Sequence, residues 1–293
     1  MKIHRNKVTI NMTNNILTAI HSIASSGNRT LPTLFQGSSN RVNQVGEALE
    51  VYVKNAFSNS LDEANINKRL EHYDECFSWT GNANNPPDFM LKDGDAIEVK
   101  KISSTRSSIQ LNSSYPKQRL SAEDPMITEA CRQSETWAEK DLIYAVGHVK
   151  DNTIRSLWMV YGDCFVASSD VYTRIANAVR DGIIQSGVQL NTETKELARV
   201  NKVDPLGITS LRVRGMWIIA NPVTIFQDLI PTASTERTIN AIMSENKFYS
   251  FPEKDRQMLN MLPSNSYEMH KIKTPLPDNP AKLQNIIYIG ITI

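Results

Sequence analysis

The stretch NNPPDFMLKDGDAIEVKKI, residues 84–102, decides how this chain is read. Asp93-Gly94 is a two-residue turn signal, so DFML and AIEVKKI are expected to pair as a hairpin. Side chains alternate across a strand. Ile97 and Val99 therefore point to one face, where they can anchor the strand in a core. Glu98 and Lys100 point to the other, roughly 7 Å apart at two residue rises. Pairing across the turn brings Asp88 back beside Glu98. Pro87 has a fixed φ and no amide hydrogen to give to a ladder, which suits the start of a strand and helps set where Asp88 sits.

Two carboxylates that converge repel each other unless a cation joins them. Mg²⁺ takes oxygen ligands, keeps several waters and typically uses one or two carboxylates together with substrate phosphate oxygens. A lysine alongside can orient or help deprotonate a water, and its charge can offset that building on a pentavalent phosphorus. Asp88, Glu98 and Lys100 are thus a workable plan for hydrolysing a phosphodiester. The competing account is an edge hairpin carrying solvated charges, with Glu98 and Lys100 as an exposed ion pair of little energetic value. Pro-Asp followed by acidic-x-Lys recurs by chance in roughly one chain in fifteen of this length. The hairpin and its buried alternate face are what raise it above that. A third carboxylate comes from the preceding helical stretch QVGEALEVYVKNAF, where Leu49, Tyr52, Val53, Ala56 and Phe57 share one face. On that wheel Glu50 borders the apolar face and is the favoured outer or second-metal ligand, whereas Glu47 falls nearly opposite and is expected to face water.

Cations follow. Residues 100–122, KKISSTRSSIQLNSSYPKQRLSA, carry Lys100, Lys101, Arg106, Lys117 and Arg119, no acid, and many Ser, Asn and Gln. That mixture suits contacts to phosphate and sugar. A second candidate is RVNKVDPLGITSLRVRG, 199–215. Arg199 and Lys202 lie near Arg212 and Arg214, which are expected to alternate on one strand face. An arginine fork fits guanine and Asn201 fits adenine, so this segment is a candidate for base readout. A solvated loop and an ordinary polar strand are the plain alternatives for the two segments.

The rest of the chain sets bounds. At 293 residues, 40% apolar and 22% charged, it is long enough for a sizeable core. The net charge of +1 means that a polyanion must be met by a local patch. Cys76, Cys131 and Cys164 are widely spaced and form no CxxC, which argues against a disulfide framework or a structural zinc site. The N-terminal sequence lacks an apolar signal region and no stretch approaches membrane length, so a cytoplasmic protein is expected. NNILTAIHSIASSG has helical spacing closed by Gly27. The runs 141–149 and 156–166 read as buried central strands, 169–185 carries helical periodicity after capping serines, and SLRVRGMWIIANP reads as one strand. NIIYIGITI at the end reads as another. The fold class expected is α/β with a mixed central sheet flanked by helices. It is read as one domain over 1–293, with a core at about 40–230 and an extension at about 231–293.

With these pieces in order, the chain resembles the PD-(D/E)XK nucleases and, more narrowly, the NgoPII-type type II restriction endonucleases. The residues that carry the likeness are NRVNQVGEALEVYVKNAF, GNANNPPDFMLKDGDAIEVKKI, LNSSYPKQRL, DPMITEACR, YAVGHV and RVNKVDPLGITSLRVRGMW, spread over roughly 40–220. The resemblance implies a restriction-endonuclease-like core and a homodimer that cuts double-stranded DNA with Mg²⁺ at a short GC-rich palindrome, GGCC for the namesake. By position it maps the site onto Asp88, Glu98 and Lys100, with Glu50 from the helix. Cleavage on this plan leaves 5′-phosphate and 3′-hydroxyl ends, and a cognate DNA methyltransferase is expected as a genetic partner. The alternatives are a sequence-specific DNA-binding protein that does not cut, and a repair or nicking nuclease with the same core.

Overall fold

The computed structural model describes residues 14–33, 41–82, 85–112, 114–186, 197–206, 208–230, 237–263 and 265–293. The N-terminal half runs α1 (Ile16–Ser26), α2 (Arg41–Phe57), α3 (Ile66–Cys76), β1 (Phe77–Asn82), β2 (Asn85–Leu91), β3 (Ala96–Ile102), β4 (Ile109–Asn112), β5 (Arg119–Ser121), α4 (Glu129–Gln133) and β6 (Glu139–Lys150). There follow β7 (Thr153–Tyr161), α5 (Ser169–Gln185), β8 (Ala198–Val200), β9 (Leu211–Val213), β10 (Met216–Ile219) and α6 (Pro222–Phe226). The chain closes with β11 (Ile239–Ser244), α7 (Glu245–Ser250), α8 (Glu253–Met258), β12 (Tyr267–Leu276) and β13 (Asn279–Ile291).

One mixed sheet organises them, in the order β1-β2-β3-β6-β7-β11-β13-β12, with β5 also paired to β6. β3 runs parallel to β6 and β7 parallel to β11; the other pairs are antiparallel. The segment after 231 therefore supplies three strands to this sheet, and Ile239–Ile242 pair with Leu157–Val160 in its middle. Two small antiparallel ladders lie off it, β10 with β4 and β8 with β9.

Alternation along the strands feeds two apolar layers. Phe89, Leu91, Ile97 and Val99 pack with the faces of α1 and α2. Met90, Ala96, Tyr144, Trp158 and Tyr288 pack on the other side with Phe165 and Phe226. The predicted face of α2 is buried throughout, from Leu49 to Phe57. Gly147 lets that helix close on β6, since a Cβ there would meet Leu49 Cδ2 at 2.6 Å. Helix α1 starts at Asn15, whose side chain accepts from the amides of Leu17 and Thr18, and stops at Gly27 with φ at 66°.

Three local expectations are corrected. The turn between β2 and β3 is a three-residue loop, 92–94: Leu91 N donates to Asp95 O, Gly94 N to Leu91 O, and Asp93 takes the left-handed conformation. The strand expected over 156–166 ends at Tyr161, where the chain turns into a 3₁₀ segment, Gly162–Cys164. The strand expected at 210–222 is two, β9 and β10, broken at Arg214-Gly215.

Candidate active site and nucleic-acid interface

The β2–β3 ladder pairs Met90 with Ala96 and Phe89 with Ile97 and goes no further. The next position is Asp88 opposite Glu98. Here the strands part, and the Asp88 carboxylate stands in for a backbone carbonyl: Val99 N donates to Asp88 Oδ2 at 2.6 Å. Asp88 and Glu98 lie on the sheet face opposite Ile97 and Val99. Lys100, two residues along, donates to Glu98 Oε1 at 2.5 Å. Neither Glu98 nor Lys100 is exposed, and β6 runs parallel alongside through Tyr144 and Val146. Helix α2 adds Glu50, tied to Lys54 at 2.7 Å.

The electrostatics show how closely these groups sit. Burial, and then the charge of Glu98, push the Asp88 carboxyl up to about 8; Glu50 adds to the rise, while Lys100 and the Val99 amide oppose it. Burial works against the Lys100 ammonium, yet Glu98, Asp88 and Glu50 together outweigh it and hold its pKa above the usual lysine value. The sequence-predicted Asp88, Glu98, Lys100 and Glu50 thus form one electrostatic cluster with a surplus of negative charge. Among the described residues no group of three or more His, Cys, Asp or Glu is arranged to hold a metal ion. What the hairpin offers is two carboxylates on facing strands, one with its pKa raised by burial and by the charge of the other. That fits a hard divalent cation completed by waters and phosphate oxygens better than an all-protein cage.

Glu47 corrects the wheel reading. It is half-buried and lines a groove of about 760 Å³ with Lys100, Lys101, Ser103, Ser107 and Gln110. The groove runs from Lys100 along the β3–β4 connection, and Arg106 is exposed on that connection.

The other cations divide. Lys117 is buried, ion-paired to Asp124, and its ammonium lies 4.0 Å from the centre of the Tyr115 ring. Arg119 is exposed but bridges to Asp141 at 3.0 Å and Glu139 at 3.5 Å. Arg199 and Arg212 are cross-strand partners on the exposed β8–β9 ladder, with Asn201 and Lys202 exposed just beyond it. Asn201 Oδ1 accepts from the Ser210 hydroxyl at 3.2 Å. Arg214 lies after the ladder and, with Arg180 and Trp217, lines a separate cavity of about 360 Å³. Pairing of β10 with β4 ties this second cationic segment to the strand that follows the groove.

Sequence reasoning missed the cluster at the other end of the hairpin. Lys247 of α7 donates to Asp95 at 2.6 Å and Asp141 at 2.7 Å, and Tyr161 donates to Asp95 at 2.5 Å. Lys247 and Asp95 stand 152 positions apart, and no local pattern joins them.

No helix among the described residues is long and apolar enough to cross a membrane. No solved structure matches the chain. A curated relative, the type II restriction enzyme NgoPII of Neisseria gonorrhoeae, is 46% identical over 251 residues, covering 85% of this chain and 89% of its own length. The model of the NgoPII restriction endonuclease family matches residues 14–275, from the first turn before α1 to the end of β12. A match of that extent, over a mixed sheet that carries the acidic hairpin, settles the kinship: the chain belongs to the NgoPII restriction endonuclease family.

Proposed function

We propose that this type II restriction endonuclease hydrolyses both strands of duplex DNA at a short palindrome, with Asp88, Glu98 and Lys100 as its catalytic residues and Mg²⁺ as its metal. The observation that carries the reading is the opening of the β2–β3 ladder at Asp88 and Glu98, with Lys100 hydrogen-bonded to Glu98. Asp88 and Glu98 would hold the cation, with Glu50 behind them as an outer or second-metal ligand. Bound there, Mg²⁺ would act as a Lewis acid on the scissile phosphate.

The chain's own groups do the positioning. Val99 N–H fixes one oxygen of Asp88, which leaves the other free to turn toward the groove. Lys100 keeps its proton in this acidic setting, so its part is to donate: it orients the attacking water and offsets charge on the phosphorus oxygens. Attack in line, with inversion, leaves 5′-phosphate and 3′-hydroxyl ends. GGCC, the site that the family resemblance implies for its namesake, is the sequence proposed.

Lys101 and Arg106, along the groove, would contact the DNA backbone. Arg199 and Arg212, exposed on the β8–β9 ladder, and Asn201 and Lys202 just beyond it would reach base edges. Lys117 is engaged inside the protein, Arg119 is held by surface carboxylates and Arg214 faces a separate cavity, and they would act by shaping the interface. A homodimer suits a palindrome, each protomer cutting one strand, and a methyltransferase gene is expected beside this one.

Digestion of plasmid DNA with and without Mg²⁺, followed by sequencing of the fragment ends, tests the reading. Discrete fragments that need the metal and share one terminal sequence are expected. Asp88→Ala, Glu98→Ala and Lys100→Ala should each cut at least ~100-fold more slowly while still binding the site. Nicked circles, or full activity in Glu98→Ala, would overturn it.

A further inference from the structure

Helix α5 is 17 residues long and strongly patterned, yet none of its residues is buried. At about 100° per residue, its apolar side chains, Ile184 apart, span one broad face. Half of that face is covered: Tyr172 stacks on Tyr115 with ring centres 6.0 Å apart and meets Trp217 edge-on at 5.4 Å, and Ala176 lines the cavity beneath. The other half stands in solvent. Val171 is 39% exposed, Ile175 49% and Val179 44%, with Ala178 and Gly182 exposed beside them. A Cβ placed on Gly182 would meet nothing within 4 Å.

The spacing of the exposed half is informative. Val171, Ile175, Ala178 and Gly182 follow one another at intervals of four, three and four residues, the 3.5-residue repeat of a helix–helix seam. Large residues come first and small ones last. Laid antiparallel on a copy of itself, the seam sets Val171 against Gly182 and Ile175 against Ala178, each twice, so that bulk meets space at every level. Along one flank lie Arg174 and Asp181, both exposed and seven residues apart. In the same antiparallel register Arg174 of one copy lies two residues, about 3 Å along the axis, from the level of Asp181 of the other, within reach of an arginine side chain, again twice. A face complementary to itself in shape and in charge is what an isologous two-fold contact requires.

We propose that this seam of α5 is where two copies of the chain pair, helix against antiparallel helix about a two-fold axis between residues 176 and 177. The proposal rests on the reading of the enzyme as a homodimer and names the surface that makes it one.

Sedimentation equilibrium of the full chain, alone and with a duplex carrying its site, tests it. The wild type should be a dimer. Ile175→Glu, a change at an exposed position that leaves the core untouched, should weaken self-association at least tenfold with an unchanged circular dichroism spectrum. Arg174→Asp and Asp181→Arg should each weaken it, and the double variant R174D/D181R should restore it, because the pairs re-form with reversed sign. A wild-type dimer that tolerates Ile175→Glu, or a double swap no better than the single ones, overturns this interface and leaves the dimer reading intact. A wild type that is monomeric with and without DNA overturns the dimer reading itself.

Discussion

The two ends of the β2–β3 hairpin hold the same kinds of side chain and use them differently. At the turn, Asp95 and Asp141 face two cations, Lys247 and Arg119, and Tyr161 donates a further hydrogen bond. At the open end, Asp88, Glu98 and Glu50 face Lys100 and Lys54 among the described residues. At the turn Asp95, Asp141 and Glu139 each touch a cation; at the open end Glu98 and Glu50 do, while the Asp88 carboxylate is held by the Val99 amide. Burial and the charge of Glu98 raise the Asp88 carboxyl to about 8, and a divalent cation bound there would relieve the repulsion between the two carboxylates. The comparison teaches that burial of charge is not by itself a sign of function, because what separates the two clusters is whether the charges close.

The joint should break with the larger effect on stability. Lys247→Met leaves Asp95 and Asp141 without their shared partner, and loss of one member of a buried pair costs about 3–5 kcal/mol. Urea denaturation should show that loss. Lys247→Met combined with Asp95→Asn should recover most of it, since an amide in place of that carboxylate needs no counter-charge and still accepts from Tyr161. A loss below about 1 kcal/mol would mean that α7 is not fastened to the hairpin through this lysine.

The site should behave in the opposite sense. Asp88 has a pKa raised to about 8. A carboxyl group raised on folding contributes stability that is complete below its unfolded value, near pH 4, and is lost as pH climbs toward 8. Asp88→Asn keeps the acceptor for Val99 N–H and removes the titration. Without metal it should therefore match the wild type near pH 4 and be more stable above pH 8, by about 1–3 kcal/mol. That is less than the full shift would give, because Asp88 is only half-buried and water screens it. Mg²⁺ at pH 8 should raise the melting temperature of the wild type and leave that of Asp88→Asn nearly unchanged. A variant less stable than the wild type at pH 8.5 would break the contrast.

Sequence carried the open end well and the joint not at all. Asp88, Glu98 and Lys100 were legible because alternation and a hairpin turn are local, and the opening of the ladder then follows from register. Helix α1 was legible from its apolar spacing and Gly27, though not its cap at Asn15. The pairing of Lys247 with Asp95, and of β11 with β7, depends on which distant strands meet, and periodicity is silent on that. Lys117 reads as a free cation in a basic run, yet Asp124, seven residues on, turns back to hold it. Glu47 was misplaced because a wheel centred on the apolar face treats everything opposite as solvent, while the groove beside Lys100 occupies that side. The uncovered half of the apolar face of α5 was equally hidden, since an amphipathic pattern predicts a partner without saying whether it is the same chain or another.

Glu50→Gln gives the smallest expected effect and the finest division of the acidic cluster. Glu50 bonds to Lys54 one turn on, an i,i+4 pair that contributes about 0.3–0.5 kcal/mol, so stability should fall by no more than that. Its charge also raises the Asp88 carboxyl, though less than Glu98 does. Followed by carbon NMR in the absence of metal, the Asp88 titration should move down in Glu50→Gln and further down in Glu98→Gln. If Glu50→Gln produced the larger shift, the helix carboxylate would be the nearer neighbour of Asp88, and Glu50 rather than Glu98 would be the partner through which Asp88 shares its cation.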